Sequence, residues 1–141
     1  MATLSPAIPA SAGKVLRAGL WLAQGLLFLA FCGAGFVKLT TPIAALSAMM
    51  PWTAQVAEPF VRIIALIDLA GGIGILLPAL TRIKPRLTVL AALGCTALQM
   101  LAITFHVWRG EFHVLPLNVV LISLSAFVLW GRLEKAPVAA R

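Results

Sequence analysis

Charged side chains are scarce in this chain. They make up 11% of its 141 residues, and only four of them are acidic, whereas soluble domains carry about 25% charged residues. Hydrophobic residues make up 62%, and the mean hydropathy is +1.05. A fold in water cannot bury that much apolar surface. The composition therefore excludes a water-soluble domain and indicates an integral membrane protein.

Cysteine is also rare, and the sequence lacks the common motifs for metal binding and catalysis. Cys32 and Cys95 form no CxxC pair, no CxxCH is present, and their different predicted depths argue against a disulfide. His106 and His113 lack zinc-ligand spacing and stand on one edge, where they could not hold a haem from both sides. No HExxH or Ser-His-Asp pattern occurs. We expect no metal and no intrinsic cofactor, and the catalytic residues are unknown.

Long apolar runs dominate the rest of the chain. About 20 helical residues span the roughly 30 Å of membrane hydrocarbon, and four runs approach that length, at residues 18–37, 61–80, 87–106 and 114–130. The predicted fold class is all-α, a polytopic membrane protein with an antiparallel bundle of four transmembrane helices. Residues 17–132 should form this domain, between a disordered tail at 1–16 and a second tail at 133–141. The apolar stretch Pro42–Trp52 is too short to cross and is expected on the outer surface.

Basic residues are distributed unevenly between the two sides of the predicted bundle. Eight of the eleven Lys and Arg residues fall before the first run, between the second and third, or after the fourth. Cytoplasmic segments carry such an excess, so both termini and the 81–86 turn are predicted to be cytoplasmic. The expected location of the protein is a bacterial inner membrane. The net charge of +7 then reflects membrane orientation, and no nucleic-acid partner is expected.

Asp68 is an acidic residue inside an apolar run. It follows Arg62 by six residues, which places it about 9 Å deeper along a helix. A charge in hydrocarbon costs several kcal/mol, so this residue requires a partner or a function. It shares a helical face with Gly71 and Gly72, and small residues favour close packing of helices. We therefore expect Asp68 to point into the bundle.

The other predicted helices also carry their polar residues on one face, and together these residues predict a polar pocket in the outer half of the bundle, opening outward. The candidate ligand-binding residues are Lys38, Asp68, Gln99, His106, Arg109 and Asn118. A structural role is the alternative, in which Asp68 pairs with Lys38 or Arg109 and the amides hydrogen-bond between helices. Lys38 is the expected partner, with Gln99 and Asn118 donating to the remaining carboxylate lone pairs.

The chain resembles the DoxX-like family of small four-helix membrane proteins over about residues 17–132. The residues that carry the resemblance are Gly35, Lys38, Leu39, Asp68-Leu69-Ala70-Gly71-Gly72, Met100, His106, Gly110, Glu111, Asn118, Gly131 and Arg132. The family more often has Glu where this chain has Asp68. The family includes a subunit of a thiosulfate:quinone oxidoreductase, parts of membrane redox complexes and assembly factors. The resemblance implies Lys38 and Asp68 as candidate site residues.

Three classes of function are compatible with these features. The first is a non-catalytic or quinone-associated subunit of a membrane redox complex, in which polar side chains bind a quinone and a partner subunit supplies the electron carrier. The second is a small proton-coupled transporter, and the third is an assembly or scaffold factor. The expected partners are the lipid bilayer, a redox or assembly protein, and a second copy of the chain. We expect no independent catalytic activity.

Overall fold

The computed structural model describes residues 10–141, with side chains from residue 13 onward. Its helices are α1 (Ala10–Thr40), α2 (Ile43–Met49), α3 (Glu58–Thr81), α4 (Arg86–Trp108) and α5 (Leu115–Trp130). The 3-10 turns are Pro51–Ala54 and Phe112–Val114, and a π-helical turn, Gly131–Lys135, follows α5. No strand occurs within residues 10–141, which confirms the predicted all-α class.

Four helical stretches are long and apolar enough to cross a membrane: α1, α3, α4 and the stretch Phe112–Lys135, which includes α5 and the turns on either side of it. Each of the four contains one predicted run. The predicted start of the first helix was wrong, because α1 begins at Ala10 and not at residue 18. Residues 10–16 of the predicted disordered tail are therefore helical, and residues 1–9 lie outside the described part. No proline interrupts the chain from Ala10 to Thr40, so the helix can extend beyond its apolar stretch.

The four long helices form a closed ring. α1 packs against α3, α3 against α4, α4 against α5, and α5 returns to α1. The turn between α3 and α4 and the loop between α4 and α5 are short, and each joins neighbouring helices, as such lengths require. The predicted antiparallel four-helix bundle is confirmed, including the contact between its first and last long helices.

Most side chains of the bundle face outward. Only 17–33% of the residues in the four apolar windows are buried, and the exposed ones include Leu22, Leu29, Leu66 and Leu101. In water this would be an extensive apolar patch of the kind that monomeric soluble proteins avoid. The exposed apolar belt is instead the surface that contacts lipid, so the chain is an integral membrane protein.

Glycines on α3 allow close contact with both of its neighbours. A Cβ atom added at Gly71 would lie 2.8 Å from Cys95 Sγ on α4, and one added at Gly72 would lie 2.6 Å from Cys32 Sγ on α1. A Cβ at Gly35 would lie 2.8 Å from the Ala65 carbonyl oxygen. Helices in lipid associate through such small-residue contacts. The prediction that the Gly71 and Gly72 face packs against another helix is correct, and both cysteines are free thiols.

The connection between α1 and α3 is folded back onto the bundle. Its predicted apolar segment, Pro42–Trp52, contains α2 and the start of the first 3-10 turn. Leu46 on α2 and Thr53 in the turn are fully buried, while Met49 is exposed. Trp52 in the turn packs edge-on against Phe105 of α4, with ring centroids 6.0 Å apart, so the segment lies against the end of the bundle.

Candidate functional site

A buried ion pair joins α1 to α3. Lys38 Nζ donates a hydrogen bond to Asp68 Oδ2 at 2.5 Å, and the two side chains are 12% and 6% exposed. Asp68 is surrounded on α3 by the buried positions Ala65, Gly72 and Ile75, which all face the bundle interior. Both the inward orientation of Asp68 and its pairing with Lys38 are thus as predicted.

The geometry of α1 explains how Lys38 reaches this carboxylate. Lys38 lies in the last turn of α1, where its carbonyl oxygen accepts a hydrogen bond from Arg62 Nη1. Gly35 on α1 lies against Ala65 and Leu69 on α3, so Lys38, three residues after Gly35, lies about 4.5 Å closer to the end of the bundle than Gly35 and outward of Asp68. The Lys38 side chain spans this difference by running inward along the helix interface, as long apolar lysine stems can.

Arg62 closes the end of α1. Its Nη1 donates to the carbonyl oxygens of Lys38 and Thr41, the latter at 2.9 Å, while its Nε and Nη2 donate to Glu58 Oε1 at 3.2 and 2.7 Å. The last carbonyls of a helix lack partners within the helix and carry a partial negative charge. Arg62 satisfies two such acceptors and thereby fixes the height of Lys38 relative to α3.

The predicted amide contacts to Asp68 are absent. Gln99 and Asn118 are buried, with 7% and 8% exposure, but among the side chains of residues 13–141 only Lys38 donates a hydrogen bond to this carboxylate. Instead, Gln99 Oε1 is buried with no hydrogen-bond partner. Helical spacing determines the helix face and the height of an amide side chain, but it does not determine the direction in which its oxygen and nitrogen point. Here the Lys38 ammonium group is the hydrogen-bond donor to the Asp68 carboxylate.

His106 and Arg109 belong to a separate polar cluster beyond the end of α4. His106 Nδ1 lies 2.7 Å from Glu111 Oε2, Arg109 Nη2 donates to Glu111 Oε1 at 2.9 Å, and Arg109 Nη1 donates to Gln55 Oε1 at 2.6 Å. The hydrogen bond from Arg109 is the main cause that lowers the pKa of Glu111, and His106 adds to it. Gly110, with φ of +72°, makes the reversal that allows this.

The six candidate residues are therefore divided between several contacts. Lys38 and Asp68 form one pair, His106 and Arg109 meet through Glu111, and the two amides remain without side-chain partners. Arg109 does not contact Asp68, because Glu111 and Gln55 already occupy its guanidinium. Glu111 was the residue missing from the predicted site, although its position two residues after Arg109 could have indicated the pair.

A third polar cluster, at the opposite end of the bundle, was not predicted. Arg132 is 5% exposed; its Nε donates to Gln24 Oε1 at 2.8 Å, and its guanidinium carbon lies 4.7 Å from the centre of the Trp21 ring. Gln24 Nε2 in turn donates to the Ile75 carbonyl oxygen at 2.7 Å. An arginine that follows an apolar run normally indicates a solvated loop. Here a Cβ at Gly131 would collide with Leu20, so the backbone is close to α1 and Arg132 turns inward.

Metal ligation is not indicated within residues 13–141. In that part of the chain, no three His, Cys, Asp or Glu side chains come together in a group that could hold a metal ion.

Comparison with known proteins places the chain in a family. No curated protein and no solved structure matches it. The sequence model of the DoxX-like family matches residues 22–128, a range that runs from the middle part of α1 to near the end of α5 and includes both partners of the buried ion pair. The chain belongs to the DoxX-like family.

Proposed function

We propose that this protein is a non-catalytic, quinone-associated subunit of a membrane redox complex. The observation that supports the proposal best is the buried Gln99 side chain, whose Oε1 has no hydrogen-bond partner. A buried acceptor without a partner costs about 1–3 kcal/mol, and the hydroxyl of a bound quinol, the reduced form of a quinone, would remove that cost by donating to Oε1.

Gln99 lies at the height of the ion pair. Gly71 on α3 faces Cys95 on α4; Asp68 is three residues before Gly71, and Gln99 is four residues after Cys95. In antiparallel helices these steps run in the same direction, about 4.5 and 6 Å, so Gln99 and Asp68 differ in height by about 1.5 Å. A ligand held by the amide would therefore lie near the only carboxylate described in the interior of the bundle.

An amide suits both states of a quinone. Reduction adds two electrons and two protons, and converts two carbonyl acceptors into two hydroxyl donors. The Gln99 NH₂ group can donate to a carbonyl, and its Oε1 can accept from a hydroxyl. Asp68 can exchange a proton at that height, and a partner protein would supply the electron carrier.

The test is ligand-dependent thermal stability of the purified protein in neutral detergent, with a panel of short-chain benzoquinones and naphthoquinones, each in its oxidised and its reduced form. Saturating quinone should raise the melting temperature of the wild type, because a ligand at 100 times its Kd adds about 2.7 kcal/mol. Gln99→Leu should abolish the shift. Met100→Leu is the matched control, since Met100 is the next residue along α4 and is 58% exposed to lipid.

The alternatives predict different results. If no quinone stabilises the wild type, or if Gln99→Leu responds as Met100→Leu does, the quinone site is wrong and an assembly role becomes the better explanation. Proton-coupled uptake into proteoliposomes that is lost in Asp68→Asn would indicate a transporter instead.

We further propose that both termini and the α3–α4 turn face the cytoplasm, because eight of the eleven Lys and Arg residues lie at that end. Single cysteines at positions 84 and 56, in a background without the two native cysteines, test this with a membrane-impermeant maleimide on intact cells. Position 56 should label and position 84 should resist. The reverse pattern would contradict the orientation.

A further inference from the structure

A small cavity lies at the end of the bundle where α3 meets α4 and α5 ends. It measures about 40 Å³ and is lined by Pro85, Arg86, Thr88, Arg132, Pro137 and Val138. About 10–15 Å³ is enough for one water molecule, so this cavity has room for a group of several atoms. The C-terminal segment forms one wall and is fixed there, because Arg82 Nε donates to the Ala139 carbonyl oxygen at 3.0 Å.

Two of the side chains that line this cavity are buried and incompletely satisfied. Thr88 is 1% exposed and Arg132 is 5% exposed. Thr88 Oγ1 and Arg132 Nη2 have no hydrogen-bond partner, although Arg132 Nη1 donates to the Ala136 carbonyl oxygen at 3.1 Å. A buried guanidinium normally has all its donors occupied, because an unpaired one loses its solvation without compensation.

Arg132 also lacks a counter-charge in the described part of the chain. The ion pairs there involve the carboxylates of Asp68, Glu58 and Glu111, and none includes Arg132. Its known partners are the neutral Gln24 amide, a carbonyl and the Trp21 ring. A buried cation that contacts only neutral groups has a free capacity for an anion.

The surroundings of the cavity favour negative charge. Pro85 immediately precedes α4, and Arg86 and Thr88 lie in its first turn, where the N-terminus of the helix carries a partial positive charge. Arg86 adds a second guanidinium to the lining. Eight of the eleven Lys and Arg residues lie at this end of the bundle, and Glu134 is the acidic residue that lies there with them, so the side chains at this end carry a net positive charge.

From these observations we infer a binding site for a phosphate-type oxyanion between the first turn of α4 and Arg132. A phosphate oxygen would accept hydrogen bonds from the Arg132 guanidinium and from the Thr88 hydroxyl, the two groups left without partners. Guanidinium binds phosphate through charge-assisted and often bidentate hydrogen bonds. The phosphate could come from an anionic lipid headgroup at the membrane surface or from free phosphate in solution.

Thermal stability in neutral detergent, at constant ionic strength, separates these two sources. One arm titrates inorganic phosphate, a second titrates short-chain phosphatidylglycerol, and a third titrates short-chain phosphatidylcholine. We expect a saturable rise in melting temperature in the first or the second arm. A rise with inorganic phosphate identifies a site open to free oxyanions, and a rise with phosphatidylglycerol alone identifies a lipid-headgroup site. Equal rises with both lipids would overturn the anion site, as would no rise in any arm.

Two variants test the residues, and two controls match them. Thr88→Val is nearly isosteric, removes only the unpartnered hydroxyl, and should weaken binding roughly threefold to tenfold. Arg132→Lys keeps the positive charge but loses the planar guanidinium group, which can donate two parallel hydrogen bonds to a phosphate. This variant should weaken binding about tenfold or more. Thr104→Val changes an exposed threonine of α4, and Lys84→Gln removes an exposed cation at the same end; both should bind normally.

The inference fails if Thr88→Val and Arg132→Lys retain wild-type affinity, or if Lys84→Gln loses as much affinity as they do, because the effect would then be general surface charge. Should Arg132→Lys unfold in detergent, Thr88→Val still decides the outcome. Its unliganded melting temperature is expected to equal or exceed that of the wild type, since it removes a buried polar group without a partner.

Discussion

The Lys38–Asp68 ion pair gives a quantitative prediction that depends on where each partner would go when the other is removed. In Lys38→Met, Asp68 remains 4% exposed in the interior with no cation, and deletion of one partner of a buried pair costs about 3–5 kcal/mol. We expect about 3 kcal/mol, because protonation of the stranded carboxyl limits the loss. In Asp68→Leu, by contrast, Lys38 lies in the last turn of α1 and can turn outward toward the interface, so the expected loss is about 1 kcal/mol.

The double variant, Lys38→Met with Asp68→Leu, should lose about 1 kcal/mol or less, because apolar replacement of a buried pair is often neutral. The coupling energy is then about 3 kcal/mol. The assay is the free energy of unfolding, measured by denaturation with sodium dodecyl sulfate from neutral detergent micelles and followed by tryptophan fluorescence. Equal stability of Lys38→Met and Asp68→Leu would refute the proposed outward escape of Lys38.

The exposed pair Glu58–Arg62 serves as the matched control. Its partners are one helical turn apart on α3, and the Glu58 side chain is 58% exposed. Exposed pairs of this spacing contribute about 0.3–0.5 kcal/mol, so the cycle of Glu58→Gln and Arg62→Gln should give a coupling of that size. If the Lys38–Asp68 coupling is no larger, the two losses are simply additive. In that case the ion pair does not hold α1 against α3.

Two further predictions concern the helix contacts and the loop cluster. Gly72→Ala should lower the free energy of unfolding by about 1–3 kcal/mol, because its Cβ would lie 2.6 Å from Cys32 Sγ; Gly25→Ala has no atom within 4 Å of the new Cβ and should be neutral or stabilising. Because the pKa of Glu111 is lowered from 4.5 in the folded protein, its ionised form stabilises the fold above about pH 4.5, and that contribution is lost as the pH falls below it. The stability difference between wild type and Glu111→Gln should therefore be constant near pH 7 and shrink below pH 4.5, and a difference independent of pH would contradict the assigned contacts.

The sequence predicted the architecture and the central ion pair because both depend on simple one-dimensional quantities. Run length identifies the four spans, and helical rise and rotation place Asp68 within reach of Lys38. The orientations of the Arg132 and Gln99 side chains could not be predicted in this way. The inward turn of Arg132 depends on the close approach of Gly131 to Leu20, residues far apart in the chain. The unpartnered state of Gln99 depends on a side-chain rotation that spacing does not specify.

The start of α1 was missed for a different reason. Apolar run length reports where a helix can lie in lipid, but a helix does not need to end where its apolar stretch ends. Ala10 to Leu16 contain no proline and only one glycine, and alanine and leucine are strong helix formers. The helix therefore continues for several residues beyond the hydrocarbon, where the Ala and Ser composition had suggested a disordered tail.

The hydrogen bond from Arg132 to Gln24 has a consequence for how the chain is made. Its two residues are 108 positions apart, so at about 5–20 residues per second the ribosome needs about 5–20 s to produce the second partner after the first. The helices α1 and α3 are synthesised earlier and can insert and pair through Lys38 and Asp68 during this interval. Only a chain that extends through Arg132 can occupy Gln24 Oε1 in this way, and a chain truncated before α5 leaves that buried acceptor open. Pulse-chase measurement should therefore find the truncated chain degraded faster than the 141-residue chain, because this one contact can form only after α5 and Arg132 have been synthesised.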